Sequence, residues 1–439
     1  MWADPRAPRF TVVDVFAGGG GLSEGFRQAG YSVIAGADSD PDAMATYTLN
    51  FPEARAITGD IRDPATKEQV LAAARCATVL IGGPPCQAFS QVRNHTRMMD
   101  DPRNALYREF VWLLRETLPQ AFLMENVTGM DQMRVRDQIV ADLSLEGEYA
   151  VLPQVLDAAD FGVPQTRKRL FFIGIRASSG IAPPQVSGSG ATGSVSLVRS
   201  PALRQARYRL VGIAPGNGLS DPECLTAVTA AQAISDLASL PMGNRRDRIP
   251  YREVGEPIGA YQRLMRAGSE GWLTNVQVPR INRDTELRLG GIPQGGNHRD
   301  LDDDLLDRYI TGQRWGRDNG TGRLSRRHFY AYRRLHPDIW AWTLNTKADS
   351  VYHYERSRAL SVREFARLQS FPDRFVFTTD SRRGMIAGRH DGGPGHSRYR
   401  QVGNAVPPLL AKSVAKSLML ALDPFCAREA PRSRTGIGR

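Results

Sequence analysis

A cysteine stands in the tract Gly82-Gly83-Pro84-Pro85-Cys86-Gln87-Ala88-Phe89-Ser90, directly after the apolar run Ala77-Thr78-Val79-Leu80-Ile81. The run reads as a buried strand, and the loop past the carboxyl end of such a strand is where open α/β sheets place their ligand crevice. Two prolines stiffen the backbone leading into Cys86, and two glycines let another group come close. A nucleophilic thiol fits there, and so does a tight turn with an incidental thiol. Glu125 ends a second apolar run, Ala121-Phe122-Leu123-Met124, and precedes Asn126-Val127, which brings a carboxylate to the same rim. Beside an apolar wall a carboxyl group holds its proton more tightly and can donate it; a helix cap or an ion-pair partner is the plainer role. In Gln165-Thr166-Arg167-Lys168-Arg169, strand alternation sends Arg167 and Arg169 to one side. Such a pair can hold a phosphate or a base carbonyl, or form a solvated edge.

A glycine loop, Asp14-Val15-Phe16-Ala17-Gly18-Gly19-Gly20-Gly21-Leu22-Ser23-Glu24-Gly25, comes off the first strand and opens a helix. Its backbone can approach a nucleotide-like ligand. Asp38 follows Asp14 by 24 residues, at the end of the second strand, where an acid can bind ribose hydroxyls. The stringent dinucleotide pattern fails, because Ser23 stands where its third glycine belongs. An adenosine cofactor suits the loop better than a nicotinamide one.

The elements that must carry these residues alternate. Phe10–Phe16, Tyr31–Ala37, Thr78–Ile81, Ala121–Glu125 and Arg169–Ile175 read as strands. Helices are expected at Leu22–Ala29, Pro41–Asn50, Ala105–Thr117 and Met133–Leu145. That alternation predicts an α/β fold with a Rossmann-like, doubly wound, mostly parallel sheet over residues 1–178. From Ala177 the chain becomes rich in Ser, Gly and Pro, which marks a boundary. The stretch that follows shows weak periodicity and many turn signals, as expected of a second, smaller and irregular domain. An amphipathic helix is expected at Ser361–Gln369, then a loop Gln401–Pro407 and a last helix Pro408–Leu422, with a disordered tail over 426–439.

Charge divides the same way. Residues 1–180 hold 18 Lys and Arg against 22 Asp and Glu, and the remainder carries a net charge of +15. Arg245-Arg246-Asp247-Arg248, Arg326-Arg327-His328 and Arg333-Arg334 lie near Tyr330, Tyr332 and Trp340, a pattern suited to a polyanion such as nucleic acid. The four cysteines form no CxxC pair, which argues against a disulfide framework or a cysteine zinc site. No apolar run of membrane-spanning length and no signal-peptide pattern is read, so a cytoplasmic location is expected, nucleoid-associated when DNA is bound.

In this order along the chain, the motifs resemble those of the DNA cytosine-5 methyltransferases. Asp14–Gly25 is similar to the family's S-adenosylmethionine loop, Asp38 to its ribose acid, Gly59-Asp60-Ile61 to its adenine-contacting segment and Pro84-Pro85-Cys86-Gln87 to its nucleophile loop. Glu125-Asn126-Val127, Gln165-x-Arg167-x-Arg169, Arg358-x-Leu360-Ser361-x-Arg363-Glu364 with Gln369-Ser370-Phe371-Pro372, and Gln401-x-Gly403-Asn404-Ala405-Val406-Pro407-Pro408 complete the match. The resemblance implies catalysis by Cys86, Glu125, Arg167 and Arg169, supported by Pro85 and Gln87. It implies cofactor contacts from Phe16, Gly18, Gly20, Leu22, Asp38, Asp60, Ile61, Pro85, Leu106, Asn404 and Val406. DNA contacts are expected from Gln87, Ser90, Arg93, Arg326, Arg327, Arg333 and Arg334. The resemblance implies S-adenosylmethionine as cofactor, with no metal, and double-stranded DNA as substrate. A recognition region with its hinge would occupy 179–396, and 397–425 would pack back on the catalytic domain. A monomer is expected, and a separately acting restriction endonuclease is a partner the resemblance allows.

The implied chemistry suits the residue types. Carbon 5 of cytosine is a poor nucleophile until a Cys86 thiolate adds to carbon 6 and turns the ring into an enamine. A protonated Glu125 would neutralise charge at ring nitrogen 3, and Arg169 would hold the exocyclic oxygen. Such chemistry requires the base to be flipped out of the duplex. Two departures stand out: Ser39 occupies the place after Asp38 where the family often has a bulky adenine-stacking residue, and 378–400 reads as an insertion. Ile61 is the expected substitute for stacking. The competing readings are an RNA cytosine methyltransferase, a catalytically silent DNA-binding regulator of the same fold, and a nicotinamide-dependent oxidoreductase. The long basic region, the retained catalytic residues and the failed glycine fingerprint argue against these three in turn.

Overall fold

The computed structural model describes residues 10–85, 105–131, 133–196, 209–210, 228–302, 304–305, 332–380 and 393–429. Its centre is a seven-stranded sheet in the order β3-β2-β1-β4-β5-β7-β6. The strands are β1 (Thr11–Val15), β2 (Ser32–Asp38), β3 (Arg55–Thr58), β4 (Val79–Gly82), β5 (Ala121–Val127), β6 (Tyr149–Asp157) and β7 (Lys168–Arg176). β7 pairs antiparallel with both β5 and β6, and the remaining pairs are parallel. Helices α1 (Gly21–Ala29), α2 (Pro41–Asn50), α3 (Pro64–Ala74), α4 (Ala105–Thr117) and α5 (Met133–Ser144) make the crossovers.

Period-two alternation divides the strand residues between two cores. Val12, Val33, Ile81, Leu123 and Ile173 face one side, and Val13, Ala35, Leu80, Phe122 and Phe172 face the other. Strand β3 and helix α3 were not anticipated from the sequence, and neither was β6. The reason is local. β3 and β6 are the sheet's two edges, so they lack the continuous apolar run of a doubly covered strand, and Pro153 inside β6 is tolerated only at an edge.

Beyond the sheet the elements are short: β8 (Val195–Ser196) pairs with β9 (Arg209–Leu210), and β10 (Arg248–Pro250) with β11 (Trp272–Thr274). Helices α6 (Ala230–Ile234), α7 (Ala260–Arg266) and α8 (Arg283–Gly291) lie among them. The chain then returns through α9 (Val362–Leu368), α10 (Gly393–Asn404) and α11 (Pro408–Glu429). α11 packs along α1, and Leu410, Val414 and Leu418 join the same core as Phe26.

Three expectations change here. α9 is buried on every side rather than amphipathic, because its polar residues are internally paired. Ser361 and Glu364 form a reciprocal capping box, and Glu364 also takes both Nη groups of Arg358 at 2.8 and 2.9 Å. Gln401–Asn404 is the last turn of α10, not loop, and α11 carries the helix through 426–429, past the predicted end at Leu422. Finally, 396–423 is long and apolar enough to cross a membrane by composition. Its apolar character serves the core, and a break before Pro407-Pro408 divides it into two helices.

Candidate active site

Strand register assembles the site. Val15 is level with Ala37 and Gly82, and Gly82 with Met124, so the next residues, Phe16, Asp38, Gly83 and Glu125, leave the carboxyl ends of adjacent strands in one row. The row crosses the point between β1 and β4 where the strand order reverses, the position at which open sheets bind ligands. A cavity of about 580 Å³ opens there.

One wall is the glycine loop. Phe16 is held at φ 62° and Gly18 at φ 54°, left-handed values that turn the chain sharply out of β1. Gly20, at φ 95°, closes the turn through its N–H to the Ala17 carbonyl, and a Cβ there would collide with the Phe51 ring. Asp14 anchors the loop from below: its Oδ2 accepts from the Ser23 N–H at 3.2 Å and the Ser23 hydroxyl at 2.7 Å. Burial pushes the Asp14 carboxyl up to about 7, against those two hydrogen bonds. Asp38 Oδ2 accepts from Gly18 N–H at 2.9 Å and Oδ1 from Asp40 N–H at 2.8 Å, which leaves lone pairs on both oxygens for hydroxyl donors. Burial raises its pKa also.

The facing wall carries the acid and the arginines. Arg169 Nε lies 2.9 Å from Glu125 Oε1, and both side chains are largely buried. Burial raises the Glu125 pKa, with Arg169 and then Arg167 pulling the other way. The opposite strand register explains the pairing, since Glu125 sits across from Phe171 and Val127 across from Arg169. Asn126, which sequence reasoning noted without giving it a task, donates its Nδ2 to the Pro84 carbonyl at 3.0 Å. It thereby holds the backbone that leads to Pro85.

Arg167 has a different arrangement from its neighbour. It is fully buried, with Nη1 on the Leu344 carbonyl at 3.1 Å and Nη2 on the Gly403 carbonyl at 2.7 Å. Burial, and then Arg169, lower its pKa. Gln165 works beside it: its Oε1 accepts from Leu344 N–H at 2.9 Å and its Nε2 donates to Gln369, whose own amide reaches the Val402 and Ala405 carbonyls. The two residues bind the entry of β7 to 341–346, the end of α9 and the turn after α10. Those contacts create the third wall, Thr343 to Thr346 with Gly403, which no local sequence signal indicated.

Of the expected cofactor residues, Phe16, Gly18, Leu22, Asp38, Pro85, Asn404 and Val406 line the cavity. Gly20, Asp60, Ile61 and Leu106 do not. Gly20 supports the turn, Asp60 is paired with Arg62, Ile61 lies in the core and Leu106 packs against it. Arg333 stacks on Trp342 at 5.3 Å. Arg334 directs its guanidinium to the carbonyls of Tyr354, Leu289, Ile292 and Glu355, so it braces the fold instead of presenting itself to phosphate as expected. Cys86, Gln87, Ser90, Arg93, Arg326 and Arg327 lie outside the described residues.

A prophage-encoded E. coli protein described as a DNA modification methyltransferase has a similar fold, with a TM-score of 0.60 at 24% identity over 94% of this chain and 99% of that one. The sheet order, the glycine loop and this likeness define an α/β methyltransferase fold. Residues 10–239 and 256–420 match the C-5 cytosine-specific DNA methylase family. Type II methyltransferase M.AgeI of Thalassovita gelatinovora is 32% identical over 94% of this chain and all of its own length. M1.HphI of Haemophilus parahaemolyticus is 30% identical over 93% of this chain and 86% of its own. The chain belongs to the C-5 cytosine-specific DNA methylase family, the enzymes that methylate carbon 5 of cytosine in DNA.

Proposed function

We propose that the protein methylates a cytosine flipped out of a specific duplex DNA sequence, with S-adenosylmethionine as donor and Cys86 as transient nucleophile. The observation that carries this reading is one continuous cavity lined both by the Glu125–Arg169 pair and by the glycine loop with Asp38. The donor's residues fit: the Gly18 backbone lies open, both Asp38 oxygens retain acceptor capacity, and Asn404 and Val406 close the opposite side. When bound there, S-adenosylmethionine supplies an electrophilic methyl carbon for carbon 5.

The chain's own residues prepare the ring. Cys86, as thiolate, forms a bond to carbon 6, and the electron pair of the carbon 5–carbon 6 double bond shifts into the ring. A protonated Glu125 gives its proton to ring nitrogen 3, where charge develops. Arg169 spans Glu125 and the exocyclic oxygen, fixing the ring plane. After carbon 5 is methylated its proton leaves to a base, nitrogen 3 returns its proton to Glu125, the carbon 5–carbon 6 double bond re-forms and Cys86 departs with its electron pair. Arg167, whose two Nη groups hold backbone carbonyls, positions the walls. The basic region within 179–396 supplies phosphate contacts and base readout. We further assign the protein to the cytoplasm and to a modification role alongside a separate restriction endonuclease, as the type II names of its relatives suggest.

A duplex carrying 5-fluorocytosine at the target tests the reading, because fluorine blocks the elimination. A covalent complex through Cys86 is expected, lost in Cys86→Ala while DNA binding persists. Trapping through Cys76, Cys224 or Cys426, or label that enters only RNA, overturns it.

A further inference from the structure

The cofactor reading leaves the purine without a stacking partner at the expected places. Ser39 is exposed and off the cavity, Asp60 is paired bidentately with Arg62, and Ile61 is buried in the core. What lines the cavity next to Asp38 is Phe16 from the glycine loop, Asp40 and Ala43 from the start of α2, and Arg400 from α10. Arg400 is 360 residues from Asp40, yet its Nη2 lies 2.8 Å from Asp40 Oδ2, with both side chains about one-third exposed. The pair is one rung of a polar seam between α2 and α10. Ser397 Oγ donates to Asp42 Oδ2 at 2.8 Å, and Thr46 Oγ1 donates to Gln401 Oε1 at 2.6 Å. Asp40 holds Arg400 directly, and it uses its other oxygen to cap α2 through Asp42 N–H.

Resting on the S-adenosylmethionine reading above, we propose that Arg400 is a cofactor-contacting residue that lays its guanidinium against the purine, in place of the bulky side chain missing at Ser39. A guanidinium is planar, weakly hydrated and stacks on aromatic faces, including those of bases. Asp40 holds it at the cavity rim, two residues from the ribose acid Asp38, so the contact falls on the adenosyl half of the ligand. Affinity for the adenosyl half would then depend on a residue from the far end of the chain.

Calorimetric titration of the full-length protein tests this with two probes. S-adenosylhomocysteine carries both halves of the cofactor, and 5′-methylthioadenosine keeps the adenosyl half without the amino acid. Arg400→Gln should weaken both by about ten-fold, the scale of a lost base stack. Arg400→Lys keeps a charge for Asp40 and loses the plane, so it should weaken both by a similar factor. Ser397→Ala, which cuts the neighbouring rung outside the cavity, should leave both affinities within about two-fold, as a substitution touching no ligand would. The proposal is overturned if Arg400→Lys binds like the wild type, if only S-adenosylhomocysteine is affected, or if Ser397→Ala reproduces the loss. A wild-type protein that binds neither probe overturns the cofactor reading itself. A wild type that binds both, with unchanged Arg400 variants, removes this proposal alone.

Discussion

Glu125 is held between a cation and a glycine: its Oε1 lies 2.9 Å from Arg169 Nε, and a Cβ on Gly83 would come within 2.9 Å of its Oε2. The carboxyl group therefore has one oxygen committed to Arg169 and the other presented past bare backbone. Both neighbours belong to strands or strand ends of the central sheet, so the group is rigidly placed.

Glu125→Gln preserves the shape and an acceptor for Arg169 but removes the transferable proton. Transfer should fall about a hundred-fold or more, the usual contribution of a general acid, with DNA affinity close to native. The pH profile adds a second check. Burial raises the Glu125 pKa, so its acid form persists to higher pH than an ordinary glutamate, and rate should decline as pH rises through that titration. Single-turnover rates across pH should lose this limb in the glutamine variant.

Gly83→Ala tests the close approach. The added methyl must displace the Glu125 carboxylate, since the glycine is fixed between β4 and the proline pair. Single-turnover transfer should drop about ten- to a hundred-fold, the effect of a misplacement near 1 Å, with cofactor and DNA affinities little changed. A native rate would show that the carboxylate has room to move.

Asp14 predicts a pH dependence of stability. Its folded pKa, about 7, lies above the ordinary aspartate value of 3.8, and Oδ1 has no hydrogen-bond partner among the described residues. A raised pKa means the stabilisation is complete below the unfolded value and is lost as pH rises through about 7. The loss is up to about 4 kcal/mol at 1.36 kcal/mol per pK unit. Thermal unfolding should show Tm falling from acid to neutral pH, and Asp14→Asn should flatten that slope while keeping the Ser23 contacts. An unchanged slope in the variant would exclude Asp14 as its source.

Arg367 is the buried centre of the network beneath α9. It meets Asp373 at 2.7 Å and Asp236 at 2.6 Å with no solvent exposure, and Asp236 also takes Arg266. Arg367→Met removes the shortest ion-pair contact of Asp373, which keeps Arg363 at 3.8 Å and the Tyr251 hydroxyl at 2.8 Å, and one of the two arginines on Asp236, which should cost about 3 kcal/mol in denaturant unfolding.

The comparison of residues with their final neighbours divides along sequence distance. Strands β1, β2, β4, β5 and β7, the loops that follow them, Asp38 closing the second strand and Glu125 near the end of the fifth were all legible, because period-two runs followed by Gly and Pro are local signals. Such signals also predict that these residues gather at one sheet edge, since parallel strands present their carboxyl ends together. They report only which face of an element is apolar, not what covers it. α9 read as amphipathic for that reason: its polar face meets Asp236 and Asp373 instead of water.

Sequence alone thus determined the α/β order and the gathering of the glycine loop, Asp38 and Glu125 around the switch between β1 and β4. Tertiary structure decided which arginines face the cavity and which serve the fold. Arg167 and Arg334 sit in basic motifs, yet both direct their guanidinium to backbone carbonyls, Arg167 across 177 and 236 residues. Arg400 reaches the cavity wall because α11 packs on α1 and brings α10 against α2. These placements follow from contacts between distant segments, whose strength depends on burial and mutual geometry, and neither quantity is encoded in residue type or spacing.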